Sequence, residues 1–390
     1  MDRIPARIVN VLISSYVHWW NAEAAYAAAV AEALERDGHR VWVLTRRGTY
    51  NGAQLRARGL TTLNEFPLWE RHPGRLWQAI RALAAFQARE RIDLVDVFRS
   101  QETGWHLLAA RGQPARIVRT RGSALPLRGH WLNRKLYGEL CHGLIACSEF
   151  VQRDMLRALR LAPGRVRTIY YPVDLPPLGE PARREAERRR LLEQLGLPLD
   201  AVVLAVVGRV QPEKGHALLL EAFARIAPAH GRAVLLVVDK ALDDPPALRE
   251  RLQVRQSELG LDGRVRWLGF RDDVRQVMGL AHVGVIPSIA SEVNCRVAVE
   301  FFSAGVPVAA FPTGALPEVV EEGVSGRIAR DHTTEALAAA LEPLLADAAL
   351  RERLGAGARR RAETRFSRER FLAETLAAFE AALAGRGPTG

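Results

Sequence analysis

The chain alternates short β-branched runs with longer amphipathic stretches along most of its length, and this alternation restricts its fold more than any other feature. Strand-like runs include "RIVNVLI", "VWVLT", "DLVDVF", "RIVRT" and "GLIAC", and later "AVLLVV", "HVGVIP" and "VPVAAF". Helical stretches such as "NAEAAYAAAVAEALERDG" separate them. This order predicts parallel βαβ units whose sheets carry helices on both faces. We therefore expect an α/β protein with doubly wound, Rossmann-like sheets.

One segment, "YYPVDLPPLGEPARRE", interrupts the alternation with prolines and a glycine. The 390 residues are also too many for one ordinary core. We therefore predict a first domain over 1–174, a second over 175–365, and a C-terminal helix within 366–390. Doubly wound sheets bind ligands outside the carboxyl ends of their strands, so the predicted site lies in the cleft between the domains.

The formal net charge of +11 limits the partners that the chain can attract. A basic surface draws nucleic acid, anionic lipid headgroups or phosphorylated small molecules. No zinc-finger, RNP or KH pattern accompanies the charge, and the arginine-rich stretch 183–196 has the mixed signs of a solvated helix face. We predict no nucleic-acid partner, and we expect peripheral association with an anionic membrane as one use of the charge.

Cysteines and apolar runs indicate the compartment. Cys141, Cys147 and Cys295 are odd in number and lack metal-ligand spacing, which is typical of reduced thiols, and we expect the first two to be buried. The apolar runs are much shorter than the roughly 20 residues of a membrane-spanning helix, and the N-terminus lacks a signal-peptide pattern. The sequence therefore predicts a cytoplasmic protein.

The stretch "GRVQPEKGH" connects the strand-like "AVVLAVV" to the helical "ALLLEAFARI". Gly208 suits the close approach of a ligand, Arg209 offers a forked donor, and Lys214 offers a mobile charge. A helix predicted to begin near Glu213 or Lys214 would direct free N–H groups to the same place, which together predicts a diphosphate site. The Lys-Gly order differs from a P-loop and disfavours nucleotide hydrolysis. His216 is interpreted as a first-turn helix residue.

Two carboxylates in the second half strengthen this prediction. Glu292 and Glu300 are separated by seven residues that run from a loop into a helix, and "GVPVAAF" and "TGALPEVVEEGVSG" follow. In this order the motifs resemble the retaining GT-B glycosyltransferases of family 4, with "GRVQPEKG" similar to their Gly-Arg-x4-Lys-Gly element. The resemblance continues through "RVRWLGFRDDV", "GLIACSEFVQRDML" and "RDGHRVWVLTR", which extends it over nearly the whole chain.

The resemblance implies a role for each matching residue. Arg209 and Lys214 would hold the diphosphate of a nucleotide-sugar donor and stabilise charge on the leaving group. Glu300 would accept hydrogen bonds from the ribose, and Glu292 would lie beside the donor sugar. Arg209, Lys214 and Glu292 are therefore the predicted catalytic residues, and Gly208 belongs to the donor site.

The resemblance also implies how the reaction proceeds. Backbone groups around Phe270 and Arg271 would meet the base. The sequence contains no Asp-x-Asp, the motif with which other glycosyltransferases hold a metal, and the cationic pair would replace it. We predict no metal and no cofactor. Retaining members use a front-face substitution in which the leaving phosphate takes the proton of the acceptor, so Glu292 is not assigned as a nucleophile.

The loop after Glu292 departs from the family pattern, which usually has glycines there. Its residues are Val293, Asn294, Cys295 and Arg296. Side chains therefore occupy space next to the donor, and Asn294, Cys295 and Arg296 join the predicted donor-binding set.

The first domain departs from the pattern as well. His18, Trp19, Trp20 and Asn21 replace the usual Gly-Gly loop, and we predict that they line the acceptor or sugar side. The two tryptophans either stack on a sugar or apolar acceptor or pack on the following helix, and both interpretations stay open. Arg121 stands where the family often has histidine, which predicts an anionic group on the donor or acceptor.

The sequence thus predicts a retaining GT-B glycosyltransferase. It would move a sugar from a nucleotide-diphosphate donor, UDP-linked by preference and GDP-linked as second choice, to a hydroxyl of a carbohydrate or glycolipid acceptor such as a lipopolysaccharide core. The GT-B family implies a last helix that crosses back to the first domain. Two alternatives stay open: a GT-B sugar-nucleotide epimerase, and a catalytically inactive GT-B homologue that acts as a partner protein.

Overall fold

A computed structural model describes residues 9–239 and 246–385; the first two residues of "RIVNVLI" lie outside this part. The chain forms two compact units. The first comprises Met1–Tyr171 and Arg368–Gly390, and the second comprises Pro172–Ser367. Each has its own sheet, as expected for a chain of this length.

The first unit is built on a parallel sheet that has seven strands within the described residues. Its order is β3-β2-β1-β4-β5-β6-β7. The strands are β1 (Asn10–Ser14), β2 (Arg40–Leu44), β3 (Thr62–Leu63), β4 (Leu94–Val97), β5 (Arg116–Arg121), β6 (Gly143–Ala146) and β7 (Arg167–Thr168). Strands β1 and β4 are almost completely buried, since helices cover both faces of the sheet.

The helices of this unit connect successive strands, as βαβ units require. They are α1 (Ala22–Arg36), α2 (Tyr50–Ala57), α3 (Pro73–Arg89), α4 (Ser100–Ala109), the single turn α5 (Trp131–Asn133), which continues as a π-helix over Arg134–Leu140, and α6 (Glu149–Leu159). The alanine-rich α1 is buried along most of its length, because small side chains let it lie close to the sheet.

The second unit repeats this architecture with six strands among its described residues, in the order β10-β9-β8-β11-β12-β13. All the pairs are parallel. The strands are β8 (Val202–Val207), β9 (Ala233–Val238), β10 (Val265–Gly269), β11 (Val283–Ile286), β12 (Val308–Ala310) and β13 (Gly326–Ile328). The prediction of two doubly wound α/β sheets is confirmed.

Helices again cover the sheet of the second unit. They are α7 (Pro181–Gln194), α8 (His216–Ile226), α9 (Pro246–Glu258), α10 (Val274–Leu280), α11 (Arg296–Ser303), α12 (Leu316–Val319), α13 (Thr334–Ala346) and α14 (Ala348–Arg365). The arginine-rich α7 is exposed over most of its residues, which confirms the predicted solvated face. The last helix, α15 (Arg368–Leu383), packs within the first unit, where Phe371 meets the ring of Tyr26 and Arg368 pairs with Glu32.

Both sheets reverse their strand order once, between β1 and β4 and between β8 and β11. At such a point the loops after the two central strands diverge to opposite faces and leave a crevice at the carboxyl edge. The carboxyl edge of each sheet, at the strand-order reversal, is therefore the expected place for a ligand. None of the helices in the described part of the chain is both long enough and apolar enough to cross a membrane.

Candidate functional site

The crevice of the second unit is formed by the two stretches that the sequence marked. "GRVQPEKG" follows β8, and the loop 287–295 follows β11, the strand paired with β8 across the reversal. A backbone hydrogen bond of 2.9 Å from Ile289 N to Glu213 O joins the two loops directly. Residues about 80 positions apart in sequence thus share one sheet edge.

A side-chain contact across this edge links Lys214 and Glu292. The Lys214 Nζ donates to Glu292 Oε1 at 2.5 Å, and the two side chains are 23% and 12% exposed. Both charges are therefore partly screened from water but still reachable from outside. A partly buried pair of this kind holds its ammonium group in a fixed place, which is what an anion site requires.

Gly215 determines where the turn ends and the helix starts. Pro212–Lys214 form a 3-10 turn, and α8 begins only at His216, so the prediction of a helix from Glu213 or Lys214 is wrong by two or three residues. Gly215 has a φ of +68°, and a Cβ there would lie 1.8 Å from the carbonyl oxygen of Pro287. This close backbone approach keeps the two loops together and excludes any other residue.

Arg209 and Gly208 form the open part of the same turn. The Arg209 side chain is exposed, and a Cβ on Gly208 would meet no atom of the described residues within 4 Å. A ligand can therefore approach the backbone at Gly208 directly, with the Arg209 guanidinium beside it.

A third loop, Thr313–Ala315, contacts the backbone of the Glu292 loop. The sequence interpretation did not include it in the site. The amide of Ala315 donates to Glu292 O at 2.7 Å, and the Thr313 hydroxyl donates to Ser288 O at 2.5 Å. A Cβ on Gly314 would lie 2.0 Å from Glu292 O. The available signal was the run "PTGALPE" after a strand, where a glycine at a loop commonly marks a close approach.

The loop after Glu292 keeps a glycine-like backbone although it lacks glycine. Ser291 and Cys295 have φ values of +65° and +44°, in the left-handed region that costs non-glycine residues on the order of 1–2 kcal/mol each. Among the described residues, only two other non-glycine positions have positive φ. Such strain commonly collects at functional sites. Cys295 and Asn294 are buried, whereas Arg296 is exposed, so Arg296 has the most side chain available to a ligand.

Glu300 follows on the helix that begins after this loop. Its carboxylate accepts a hydrogen bond from Arg296 Nε at 2.8 Å, one helical turn away. The remaining donor candidates lie at the end of β10, two strands from β8 and therefore about 10 Å along the same edge. There Phe270 is exposed, and Arg271 is held by two 2.6 Å bonds to Asp273, which lower the pKa of that carboxyl.

His216 lies directly behind the cationic turn, as the first residue of α8, which confirms its predicted position. Burial and the neighbouring Lys214 charge lower its pKa to about 4. The imidazole is therefore neutral at pH 7. The cations that the turn presents to a ligand are those of Arg209 and Lys214.

In the first unit, the four residues proposed for the acceptor side differ in their contacts and exposure. Asn21 caps α1, its side chain accepting from Ala24 N at 2.9 Å. The Arg58 guanidinium packs over the Trp20 ring, with its Cζ 4.8 Å from the ring centroid. Trp19 is 68% exposed. His18 is exposed. Contact with a sugar by these residues stays a prediction, with Trp19 the most available of them.

Arg121 ends β5 and is buried. It donates to the carbonyl of Leu125 and pairs with Asp154 at 3.6 Å, so it holds the loop that follows the strand. Recognition of an anionic group by this side chain stays a prediction. Cys141 and Cys147 are buried as predicted, and Cys295 is buried as well.

The crevice edge of the first unit also contains buried carboxylates that the sequence interpretation missed. Asp96 accepts from the Thr120 hydroxyl at 2.7 Å, and Glu102 accepts from the Ser14 hydroxyl at 2.8 Å. Burial raises the pKa of each to about 7. An Asp within a strand and a Glu within a helix carry no distinctive sequence pattern, so nothing in the chain marked them.

Comparison with known families agrees with this arrangement. Residues 187–361 match the family model of glycosyl transferases group 1, and residues 24–176 match that of glycosyltransferase family 4. Together these segments cover most of both units. The chain therefore belongs to the glycosyltransferases that these two family models describe.

Individual relatives share the fold at low sequence identity. A D-inositol 3-phosphate glycosyltransferase of Salinispora arenicola is 33% identical over 63% of this chain, and the match spans just over half (56%) of that relative's length. A crystal structure of a Rickettsia africae glycosyltransferase superposes with a TM-score of 0.85 at 18% identity, covering 97% of this chain and 99% of that one. Anabaena HepE in complex with UDP gives a TM-score of 0.81 at 22% identity, covering 95% and 100%. These likenesses establish a GT-B fold.

Proposed function

We propose that this chain is a retaining glycosyltransferase that moves a sugar from a nucleoside-diphosphate donor to an acceptor hydroxyl without a metal ion. The observation that carries the proposal is the Lys214–Glu292 contact at the strand-order reversal of the second sheet. Arg209 lies on the same turn as Lys214, and Glu300 lies on the helix after the Glu292 loop. Three cations, with Arg296 paired to Glu300, and two carboxylates therefore lie at one edge.

These groups match the parts of a nucleotide sugar. A diphosphate carries the negative charge that Arg209 and Lys214 would neutralise through charge-assisted hydrogen bonds. Ribose and donor-sugar hydroxyls donate hydrogen bonds, which carboxylates such as Glu300 and Glu292 accept. Because Lys214 is already fixed by Glu292, the cation needs little reorganisation when charge develops on the leaving group.

The transfer step requires no protein nucleophile. The bond between the anomeric carbon and the diphosphate oxygen breaks with its electrons going to oxygen. The acceptor oxygen forms the new bond on the same face, and its proton passes to the departing phosphate. Arg209 and Lys214 stabilise the resulting nucleoside diphosphate, and loss of one such donor typically costs on the order of a hundredfold in rate.

The donor proposed first is a UDP-sugar, with a GDP-sugar as second choice. HepE, which shares the fold, has been crystallised with UDP, and this supports a uridine donor. Stacking on the exposed Phe270 ring would hold the base at the end of β10.

The proposed acceptor is a hydroxyl of a carbohydrate or glycolipid, including a lipopolysaccharide core. The Salinispora relative is named for an acceptor that bears phosphate. This supports an anionic group on the acceptor here, close to Arg121. An Arg121→Ala variant should then raise KM for acceptor and leave donor affinity unchanged, and unchanged acceptor kinetics would remove the assignment.

Calorimetric titration with UDP, GDP, ADP and CMP, in the presence of EDTA, tests the donor site. We expect one nucleoside diphosphate to bind, and an Arg209→Ala/Lys214→Ala variant to lose that binding by at least about a hundredfold. Arg225→Ala/Arg251→Ala removes the same charge from exposed positions of α8 and α9 and should bind normally. Failure of all four nucleotides to bind would favour the inactive homologue.

Transfer is then measured with the sugar nucleotide of the preferred base. Retention predicts that the anomeric configuration of the donor persists in the product, which proton NMR coupling constants reveal. Interconversion of the sugar nucleotide without an acceptor would instead identify an epimerase. A strict requirement for added divalent cation would contradict the metal-free step.

A further inference from the structure

A second surface of the first unit carries features that the donor site does not use. The loop after β5 and the single turn α5 expose three large apolar side chains to solvent: Leu125 is 76% exposed, Trp131 73% and Leu132 43%. Exposed side chains of this size gain free energy when they leave water. We call the exposed part of residues 125–135 the Trp131 surface.

Basic residues surround these apolar side chains. Arg128 and Lys135 are exposed within the same stretch, and no Asp or Glu occurs between Gly122 and Gly138. The neighbouring helix α6 adds the exposed Arg157, and the residue that follows this helix adds the exposed Arg160. Positive charge therefore borders the apolar tip on the loop and on the helix beside it.

The surface is held in place from below. Leu127 N donates to Asp154 Oδ2 at 2.8 Å, and Asp154 in turn pairs with the buried Arg121. A Cβ on Gly129 would lie 2.4 Å from Ala158 O, so the loop lies directly on the α6 backbone. The exposed side chains thus project from a fixed base, which lowers the entropy lost on binding.

We propose that the Trp131 surface docks on an anionic lipid bilayer. Tryptophan and leucine side chains enter the boundary between headgroups and acyl chains, while arginine and lysine remain at the phosphates. Nucleic acid would use the positive charge but would leave Leu125 and Leu132 without an apolar environment. The donor groups belong to the other unit, but the acceptor candidate Arg121 lies beneath this loop, so docking is measured without sugar transfer.

Vesicle co-sedimentation of the full chain tests the proposal. Binding should be clear with mixed phosphatidylcholine and phosphatidylglycerol vesicles, weak with phosphatidylcholine alone, and reduced by salt. Trp131→Ser/Leu132→Ser should weaken binding by about tenfold or more. Arg128→Gln/Lys135→Gln should weaken it about fivefold per charge removed.

A matched control separates this surface from exposed aromatic side chains in general. Trp77 on α3 is 55% exposed in the same unit, and Trp77→Ser should bind vesicles like the unmodified protein. Quenching of fluorescence by brominated lipid should fall in Trp131→Phe although that variant still binds. Thermal melting and nucleotide titration verify that each variant is folded.

Several results would overturn the proposal. One is equal binding to neutral and anionic vesicles, and another is undiminished binding of Trp131→Ser/Leu132→Ser. A third is tight binding of duplex DNA that prevents vesicle binding and is unchanged in Trp131→Ser/Leu132→Ser. That result would assign the surface to nucleic acid. If transfer activity fails while vesicle binding behaves as expected, only the proposed function is lost.

Discussion

The two sheets have the same strand order around their reversal points, yet they treat charge at that edge in opposite ways. In the second unit, Lys214 and Glu292 remain partly exposed and pair with each other, with Arg209 open beside them. In the first unit, Asp96 and Glu102 are buried, and hydroxyl groups are their closest partners. The charged groups at one edge are partly exposed, whereas the carboxylates at the other edge lie beneath the surface.

The turns beside these edges differ as well, although the first unit has one close backbone approach of its own, at Gly129. Gly215 and Gly314 place backbone against backbone in the second unit, so its loops are fixed to each other. The turn glycine Gly48 in the first unit has nearly the same φ, +71°, but a Cβ there would meet nothing described within 4 Å. At these positions, backbone contact holds the loops of the second unit together, whereas the turn at Gly48 has no such contact among the described residues.

The largest expected effect of a single substitution comes from the close approach at Gly215. Gly215→Ala adds a collision with Pro287 O to the cost of its left-handed backbone, and should lower the free energy of unfolding of the second unit by about 4 kcal/mol. Gly48→Ala carries the backbone cost alone, about 1 kcal/mol. Denaturant unfolding measures both, and equal losses would show that the loops are not fixed as described.

The buried carboxylates of the first unit give the next effect. Their pKa of about 7 lies above the unfolded values near 4, so the folded state holds protons that the unfolded state releases. Stability of this unit should therefore fall as pH rises from 4 to 7, by about 3 kcal/mol per carboxylate.

Asp96→Asn/Glu102→Gln should remove this dependence, because amides resemble the protonated acids. Tryptophan emission is a suitable probe, since every tryptophan except Trp267 belongs to the first unit. Asp273→Asn, at a partly exposed position of the second unit, serves as control. An unchanged slope in the double variant would mean that both carboxylates are ionised in the folded protein.

His216 gives the opposite dependence in the second unit. Its folded pKa of about 4 lies below the unfolded value near 6.5, so the unfolded state is protonated first as pH falls. Stability should decrease between pH 6.5 and 4, by about 3 kcal/mol. Hydrogen exchange of α8 measures its opening free energy at each pH. His216→Asn should remove the pH dependence of this free energy between pH 6.5 and 4, whereas His18→Asn, at an exposed position, should leave it unchanged. Equal slopes in both variants would contradict the burial of the imidazole.

The smallest effect concerns the first loop of the first unit. Asn21→Ala removes the cap of α1 and should cost about 1 kcal/mol, whereas Asn21→Ser should retain most of that stability. If Asn21 acts only as a cap, the Ser variant should also keep normal acceptor kinetics. A large fall in kcat/KM of a stable Ser variant would place Asn21 on the sugar instead, and would make the two edges more alike.

Much of the second unit's site was predictable because its signals are local. A strand, a glycine, two cations and a following helix stand within a few positions, and Glu292 and Glu300 bracket a loop-to-helix transition. The helix start at His216 was misplaced because the 3-10 turn depends on the contact between Gly215 and Pro287, which lie far apart in sequence. The supporting loop at Thr313–Ala315 was missed for the same reason.

The sequence by itself determined the alternating βα order, the division into two units, and the residue types at the turn after β8, because periodicity and turn chemistry act over short distances. The tertiary structure alone decided that Lys214 meets Glu292, that Asp96 and Glu102 are buried, that Asn21 caps a helix, and that Trp131 is exposed. Those outcomes depend on which distant segments pack together. Burial and pairing are properties of that packing, and no single stretch of the chain contains them.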